Sequence, residues 1–125
     1  MSYTYSKNEK LKSKKLIEQL FSEGKSVSAF PLRMVYLKTT FDENTNIKVG
    51  VSVSKRHFKK AVDRNRLKRL LREAYRLNKL TFFNNSSESY ALMILYISKD
   101  GTDFESLNKK MKQLLEAFTN KVSQK

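Results

Sequence analysis

The chemistry open to this chain is concentrated in residues 55–79, KRHFKKAVDRNRLKRLLREAYRLNK. They hold Lys55, Arg56, Lys59, Lys60, Arg64, Arg66, Lys68, Arg69, Arg72, Arg76 and Lys79 against Asp63 and Glu73, a net +9 of the chain's +14. From Arg64 onward arginine outnumbers lysine. Guanidinium groups offer a planar fork of donors that suits phosphate oxygens and stacks on bases. A polyanion is the partner such a field selects, because neutralising phosphates releases condensed counterions. The competing explanation is a solvated helix face, but such a face interleaves acids at i,i+4, and this one has almost none. Catalytic chemistry of the chain's own has no matching signal. There is one histidine, His57, and no cysteine. A protein metal site needs several ligands, so no catalytic residue and no metal ligand is assigned to this chain.

Helical geometry divides the segment. At ~100° per residue, Leu67, Leu70, Leu71, Ala74 and Leu77 share one face. Asn65, Lys68, Arg69, Arg72, Arg76 and Lys79 fall opposite, and Arg66 lies on the flank near Glu73 as its partial partner. Arg64 and Arg66 crowd the opening turn, where the helix macrodipole favours acids. A phosphate bound at that end would resolve the conflict.

The elements that must position these residues follow from hydrophobic period and punctuation. At 125 residues with 39% hydrophobic content, the chain fits a single domain over 1–125, with 1–8 and 120–125 as flexible ends. Ser13 is placed to cap a short helix bearing Leu16, Ile17, Leu20 and Phe21, stopped at Gly24. A strand is expected over Phe30–Leu37, and the turn-rich 42–46 reads as the loop of an antiparallel pair with Ile47–Ser54. In that second strand Ile47, Val49, Val51 and Val53 face one way, and Lys48, Gly50, Ser52 and Ser54 the other. The small second face is either solvated or open to another molecule. A long helix over Val62–Leu80 comes next, then YALMILYI at 90–97, apolar enough for a central strand covered on both faces. Asp100-Gly101 turns the chain, and Thr102 with Glu105 has capping-box spacing. The final helix carries Phe104, Leu107, Met111, Leu114, Leu115 and Phe118 as a core stripe. The order α-β-β-α-β-α, with room for one extra short strand near 26–30, makes an α+β, two-layer sandwich. No apolar run approaches the ~20 residues of a membrane span, and no apolar signal core follows the N-terminal charges. The expectation is a cytoplasmic protein without membrane association.

VSVSKRHFKKAVDRNRLKRLLREAYR resembles the signature of the ribonuclease P protein family: a strand ending in Val-Ser-Lys-Lys/Arg, a linker, then A-V-x-R-N-R-x-K-R-x-x-R-E. Ala61, Val62, Arg64, Asn65, Arg66, Lys68, Arg69, Arg72 and Glu73 stand in that register. KLKSKKLIEQLFSEGKS is similar to the family's opening, in which a basic residue and Leu precede a helix ending in Phe-x-x-Gly, here Phe21 to Gly24. The resemblance covers nearly the whole chain. It implies a sandwich of the ribosomal protein S5 domain 2-like type, with a left-handed crossover against the usual right-handed rule. It also implies a monomer in a 1:1 complex with ribonuclease P catalytic RNA, acting on precursor tRNA. The RNA would hold Mg²⁺ and remove the 5′ leader. Arg64, Asn65, Arg66, Lys68, Arg69, Arg72 and Arg76, with Lys55 and Arg56 beside them, would be RNA-binding. Ile17, Phe21, Ser52 and Ser54 would line a leader cleft. Ile17 stands where the family more often has Phe, and Phe21 is either core or leader-contacting. A ribosomal or RNA-chaperone protein is the alternative, sharing the basic helix but not the N-terminal motif.

Overall fold

The structure is a computed structural model and describes residues 11, 13–39, 47–83 and 89–123. These form helix α1 (Lys14–Glu23), strands β1 (Lys25–Ala29), β2 (Leu32–Lys38) and β3 (Ile47–Val53), helix α2 (Ala61–Phe83), strand β4 (Tyr90–Tyr96) and helix α3 (Phe104–Ser123). This is the expected α+β sandwich, with the extra short strand present as β1. The strands lie in the order β1-β2-β4-β3. β2 is antiparallel to both β1 and β4, while β3 runs parallel to β4 through the α2 crossover. The expected pairing of β2 with β3 is therefore corrected: β4 lies between them, and the hairpin is β1–β2, turning at Phe30-Pro31. The reason is in β4 itself. A strand apolar at every position gains most where both faces and both edges are covered. The turn-rich 42–46 and the end at 1–8 lie outside the described residues. The other end, expected to be loose from 120, continues α3 as far as Ser123.

β4 separates two apolar layers. Tyr90, Leu92, Ile94 and Tyr96 join the larger core beneath α2 and α3. Ala91 and Met93 face the other way and pack with Leu11, Leu20 and Val35 under α1. In the larger core Phe118 meets Tyr36 and Tyr90 edge-on, with ring centroids 5.0 and 5.3 Å apart. α2 contributes Leu67, Leu71, Ala74 and Tyr75. Where α2 meets α3, the buried Asn78 amide donates to Ala74 O and to Asn108 Oδ1, both at 2.7 Å. That satisfies a polar group that would otherwise penalise burial.

The helix ends explain the short connections. Ser13 Oγ accepts the Leu16 N–H at 3.2 Å, as its spacing predicts. Gly24 closes α1, donating its N–H to Leu20 O at 2.8 Å. A Cβ there would sit 2.9 Å from both Tyr36 O and a Val35 methyl, so glycine lets α1 end directly on β2. At α3 the expected Thr102–Glu105 box gives way to Asp103. Its Oδ1 accepts the Ser106 N–H at 2.8 Å, and its carbonyl accepts the Leu107 N–H at 3.1 Å. A carboxylate only accepts, and it sits one residue closer to the free N–H groups than the Thr102 hydroxyl. The bond to Ser106 holds the Asp103 carboxyl below its usual range.

Phe118 is the joint of the larger core, being 2% exposed and in contact with two tyrosines. Phe118→Ala is expected to lower the unfolding free energy by ~3–5 kcal/mol. Urea denaturation checks this, and a loss below 1 kcal/mol would mean α3 is not anchored there.

Candidate nucleic-acid interface

The linker between β3 and α2 is a tight turn. Ser54 O accepts the Phe58 N–H at 3.0 Å, and Ser54 Oγ accepts the Arg56 N–H at 3.1 Å. The Phe58 ring packs against Tyr96 at 5.9 Å. Pinning Phe58 inward leaves Lys55, Arg56 and His57 exposed at the end of β3.

α2 then divides its cations. Arg64 is half-buried, and its Nη1 donates to Phe58 O and to Lys59 O, both at 2.8 Å. It straps the linker to the start of the helix through that one nitrogen. The helix also begins at Ala61, which puts Asp63 in its first turn. The macrodipole conflict expected there is thus already relieved by an acid. Arg66 is exposed and reaches Thr102 O at 3.4 Å across the start of α3. Its expected partner, Glu73, pairs with Arg76 instead, at 2.5 Å from Nη2 and 3.1 Å from Nε. Three residues apart on a helix, the two are neighbours. The bond holds the Glu73 carboxyl below its usual range and raises Arg76 above its own.

The buried arc of α2 is also turned from its expected direction. Tyr75 and Asn78 are buried, whereas Leu77 is 40% exposed. Lys79, expected on the cationic face, is 7% exposed. An aromatic ring and an amide with a partner on α3 outcompete one leucine for the interior. What remains outward is Asn65, Arg69 and Arg72, all exposed, with Lys68 half-buried on their flank.

The sheet face under α1 holds the other assigned residues. Phe21 is 52% exposed and is not core, while Ile17 is half-buried against the smaller cluster. Ser52 and Ser54 are half-buried. Gly50 is less open than its size suggests, because a Cβ there would meet Met93 Cε at 2.9 Å and Leu11 Cβ at 3.6 Å. Leu11 is fixed by its N–H donating to Val49 O at 3.0 Å. The small face therefore stays open at Ser52 and Ser54 but not at Gly50. Sequence reasoning passed over Arg33 and Phe30, both exposed near this face. Arg33 breaks the apolar run of β2, and that was its signal.

Among the described residues no three of His, Cys, Asp and Glu converge, and no helix is long and apolar enough to cross a membrane. Of the described acids, Glu73 is held by Arg76 and Asp103 caps α3.

A family model described as Ribonuclease P matches residues 5–119. The ribonuclease P protein component of Porphyromonas gingivalis (strain ATCC 33277) is 37% identical over 117 residues, covering 91% of this chain and 85% of the relative. That of Chlorobium phaeobacteroides is 37% identical over 122 residues, covering 87% and 84%. The solved structure of the RNase P protein from Thermotoga maritima superposes with a TM-score of 0.70 at 26% identity, covering 86% of this chain and 96% of that one. The family match spans both the N-terminal motif and α2, a pairing that a ribosomal or chaperone-type protein would not share.

The division of cations predicts two different phenotypes. Arg64→Ala should cost about 1–2 kcal/mol of stability, since two carbonyls lose a charged donor. Arg72→Ala should change stability by less than about 0.5 kcal/mol, as an exposed residue without such a role. Thermal melting of the two variants measures this directly; equal melting temperatures would refute the strap.

Proposed function

This chain belongs to the ribonuclease P protein family, and from that membership we propose that it binds the catalytic RNA through the outward face of α2 and the 5′ leader of precursor tRNA across the sheet. It is a subunit of ribonuclease P, an endoribonuclease of tRNA processing. The carrying observation is the run Asn65, Lys68, Arg69 and Arg72 on a helix whose other face is core, with Glu73, the acid nearest along the helix, already held by Arg76. A rigid cationic ladder of this kind matches a folded phosphate backbone better than a flexible tail would, because its side chains are spaced before binding. Lys55 and Arg56 extend the field past the linker.

Phosphodiester hydrolysis belongs, in this reading, to the RNA partner and its Mg²⁺. The protein's work is electrostatic and positional: it offsets phosphate repulsion in the folded RNA and holds the leader at Phe21, Ile17, Ser52 and Ser54. The complex is 1:1 and cytoplasmic. Arg64 takes part indirectly by fixing the linker, and Arg76 and Arg66 are weaker contacts than Arg69 and Arg72 because each already has an acceptor.

Two measurements test this. In a cleavage assay at low Mg²⁺, the protein with its organism's catalytic RNA should remove the leader of precursor tRNA, while RNA-free protein should cleave nothing. Replacing Lys68, Arg69 and Arg72 together by Ala should weaken catalytic-RNA binding and reduce the slope of log K against log salt by roughly two to three units. An unchanged slope in a well-folded triple variant would remove α2 from the interface.

Phe21 gives the leader test. Stacking of a base on an aromatic ring is worth ~1–3 kcal/mol, or up to about a hundredfold in affinity. Phe21→Ala should weaken holoenzyme binding to leader-bearing tRNA and leave binding to mature tRNA and to catalytic RNA nearly intact. Equal losses for both tRNAs would exclude Phe21 from the leader cleft.

A further inference from the structure

A cleft of about 340 Å³ opens at the corner where α1 ends, β1 begins, β2 ends and α3 finishes. Its size lies at the lower end of the ~300–1,000 Å³ typical of small-molecule pockets. The corner is remote from the linker that leads into α2. Lys38, beside the cleft, is paired with Tyr90 at the start of β4, whereas Val53, just before the linker, is paired with Tyr96 at its end. The seven-residue strand between them spans ~20 Å.

Strand register gathers the polar groups of the cleft on one face. Lys25 is the cross-strand partner of Tyr36, and Lys38 of Tyr90. Tyr36 and Lys38 are two residues apart on β2, so all four side chains point to the same side of the sheet. That side carries the larger core with Tyr36, Tyr90 and Phe118, and is the reverse of the face beneath α1. Glu23 from α1, with Lys121 and Val122 from α3, completes the walls. Three lysines against one glutamate leave a net +2.

Tyr36 adds a directional donor. It is 6% exposed, yet its hydroxyl has no hydrogen-bond partner among the described residues. No side-chain oxygen among them is sealed from solvent without a partner, so this hydroxyl opens on the cleft that Tyr36 lines. The ring is held edge-on by Tyr90 and Phe118, with centroids 6.3 and 5.0 Å away. A buried tyrosine hydroxyl normally finds an acceptor, and burial pushes the pKa of this one up, which keeps its proton in place. Lys25 and Lys121 are exposed and meet no acid among the described residues.

A phosphate monoester matches this set. It carries about −1.5 to −2 at pH 7 and three acceptor oxygens. Ammonium groups on flexible stems close around such a charge from several sides. Leu37 and Val122 give the rest of a ligand an apolar wall. A terminal phosphate can descend to a hydroxyl at the floor. A phosphodiester within an RNA backbone cannot, because a sugar flanks it on either side.

We propose that this cleft binds a small phosphorylated molecule, with Lys25, Lys38 and Lys121 around its terminal phosphate and the Tyr36 hydroxyl donating to one phosphate oxygen. The site is separate from the outward face of α2 and from the face beneath α1, so it does not depend on the RNA readings above.

The test is an NMR titration of the full chain with glycerol 3-phosphate, with glycerol as the uncharged control and dimethyl phosphate as the diester. Glycerol 3-phosphate should shift the amides of Lys25, Tyr36, Lys38 and Lys121 saturably, and glycerol should shift none. Dimethyl phosphate, with half the charge and no terminal phosphate, should bind about tenfold more weakly. Tyr36→Phe keeps the ring and should weaken glycerol 3-phosphate binding about tenfold, the loss of one hydrogen bond to a charged group. Its melting curve should match the parent's. Lys25→Gln combined with Lys121→Gln, both at exposed positions, should weaken the same binding and leave catalytic-RNA affinity unchanged. Shifts confined to α2 would overturn the proposal, as would parent-like glycerol 3-phosphate affinity in the double variant or in a folded Tyr36→Phe variant. A loss of catalytic-RNA affinity in the double variant would overturn it too, since the cleft would then be an RNA contact.

Discussion

Burial of β4 on both faces is the constraint from which the rest of the molecule follows. Each residue from Tyr90 to Ile94 is buried, and so is Tyr96. One face needs a wide cover and receives α2 and α3. The other receives only a ten-residue helix and Leu11. Together these cross the strands from Leu11, beside Val49 of β3, to Gly24, beside Tyr36 of β2. A single helix is ~10 Å wide and covers only part of strands that are seven residues long, so Ser28 and Arg33 stay exposed beyond it.

The same burial sets the direction of α2. The helix is anchored through Leu67, Leu71, Ala74 and Tyr75, and the Asn78–Asn108 bond fixes its rotation against α3. A buried amide pair satisfies itself in one geometry and leaves unmet hydrogen bonds in others, so it specifies rotation more sharply than leucine contacts do. Rotation is what decides which cations point outward. With Asn78 inside, Arg69 and Arg72 face solvent while Lys79 is covered.

Much of this was legible in the residues. The order of elements, the central place of 90–97, the Ser13 cap and the core stripe of α3 all follow from period and punctuation. What was not legible depended on partners distant in sequence. Strand pairing follows from which strand most needs covering, and the two strands that flank 42–46 in sequence are not neighbours in the sheet. The buried arc of α2 was misdirected because leucine was ranked above tyrosine and asparagine, and the Asn108 that rewards Asn78 lies thirty residues away. Arg66 and Glu73 were paired by proximity along the helix, but Arg76 is at the better spacing and forms a two-bond fork with Glu73.

The cations therefore differ in kind although the sequence writes them alike. A guanidinium that already donates to carbonyls or a carboxylate has fewer free donors and a partly cancelled field, so a phosphate gains less from it. By that measure Arg64 and Arg76 stabilise the protein first, and Arg69, Arg72 and Arg33 are the groups with most to gain from an anion. A net charge of +14 repels itself in the compact chain. Using a few arginines as internal straps lessens that repulsion where the fold is tightest and leaves the rest exposed on rigid elements. Binding a polyanion then relieves the remaining repulsion, so under the proposed reading partner affinity and fold stability rise together.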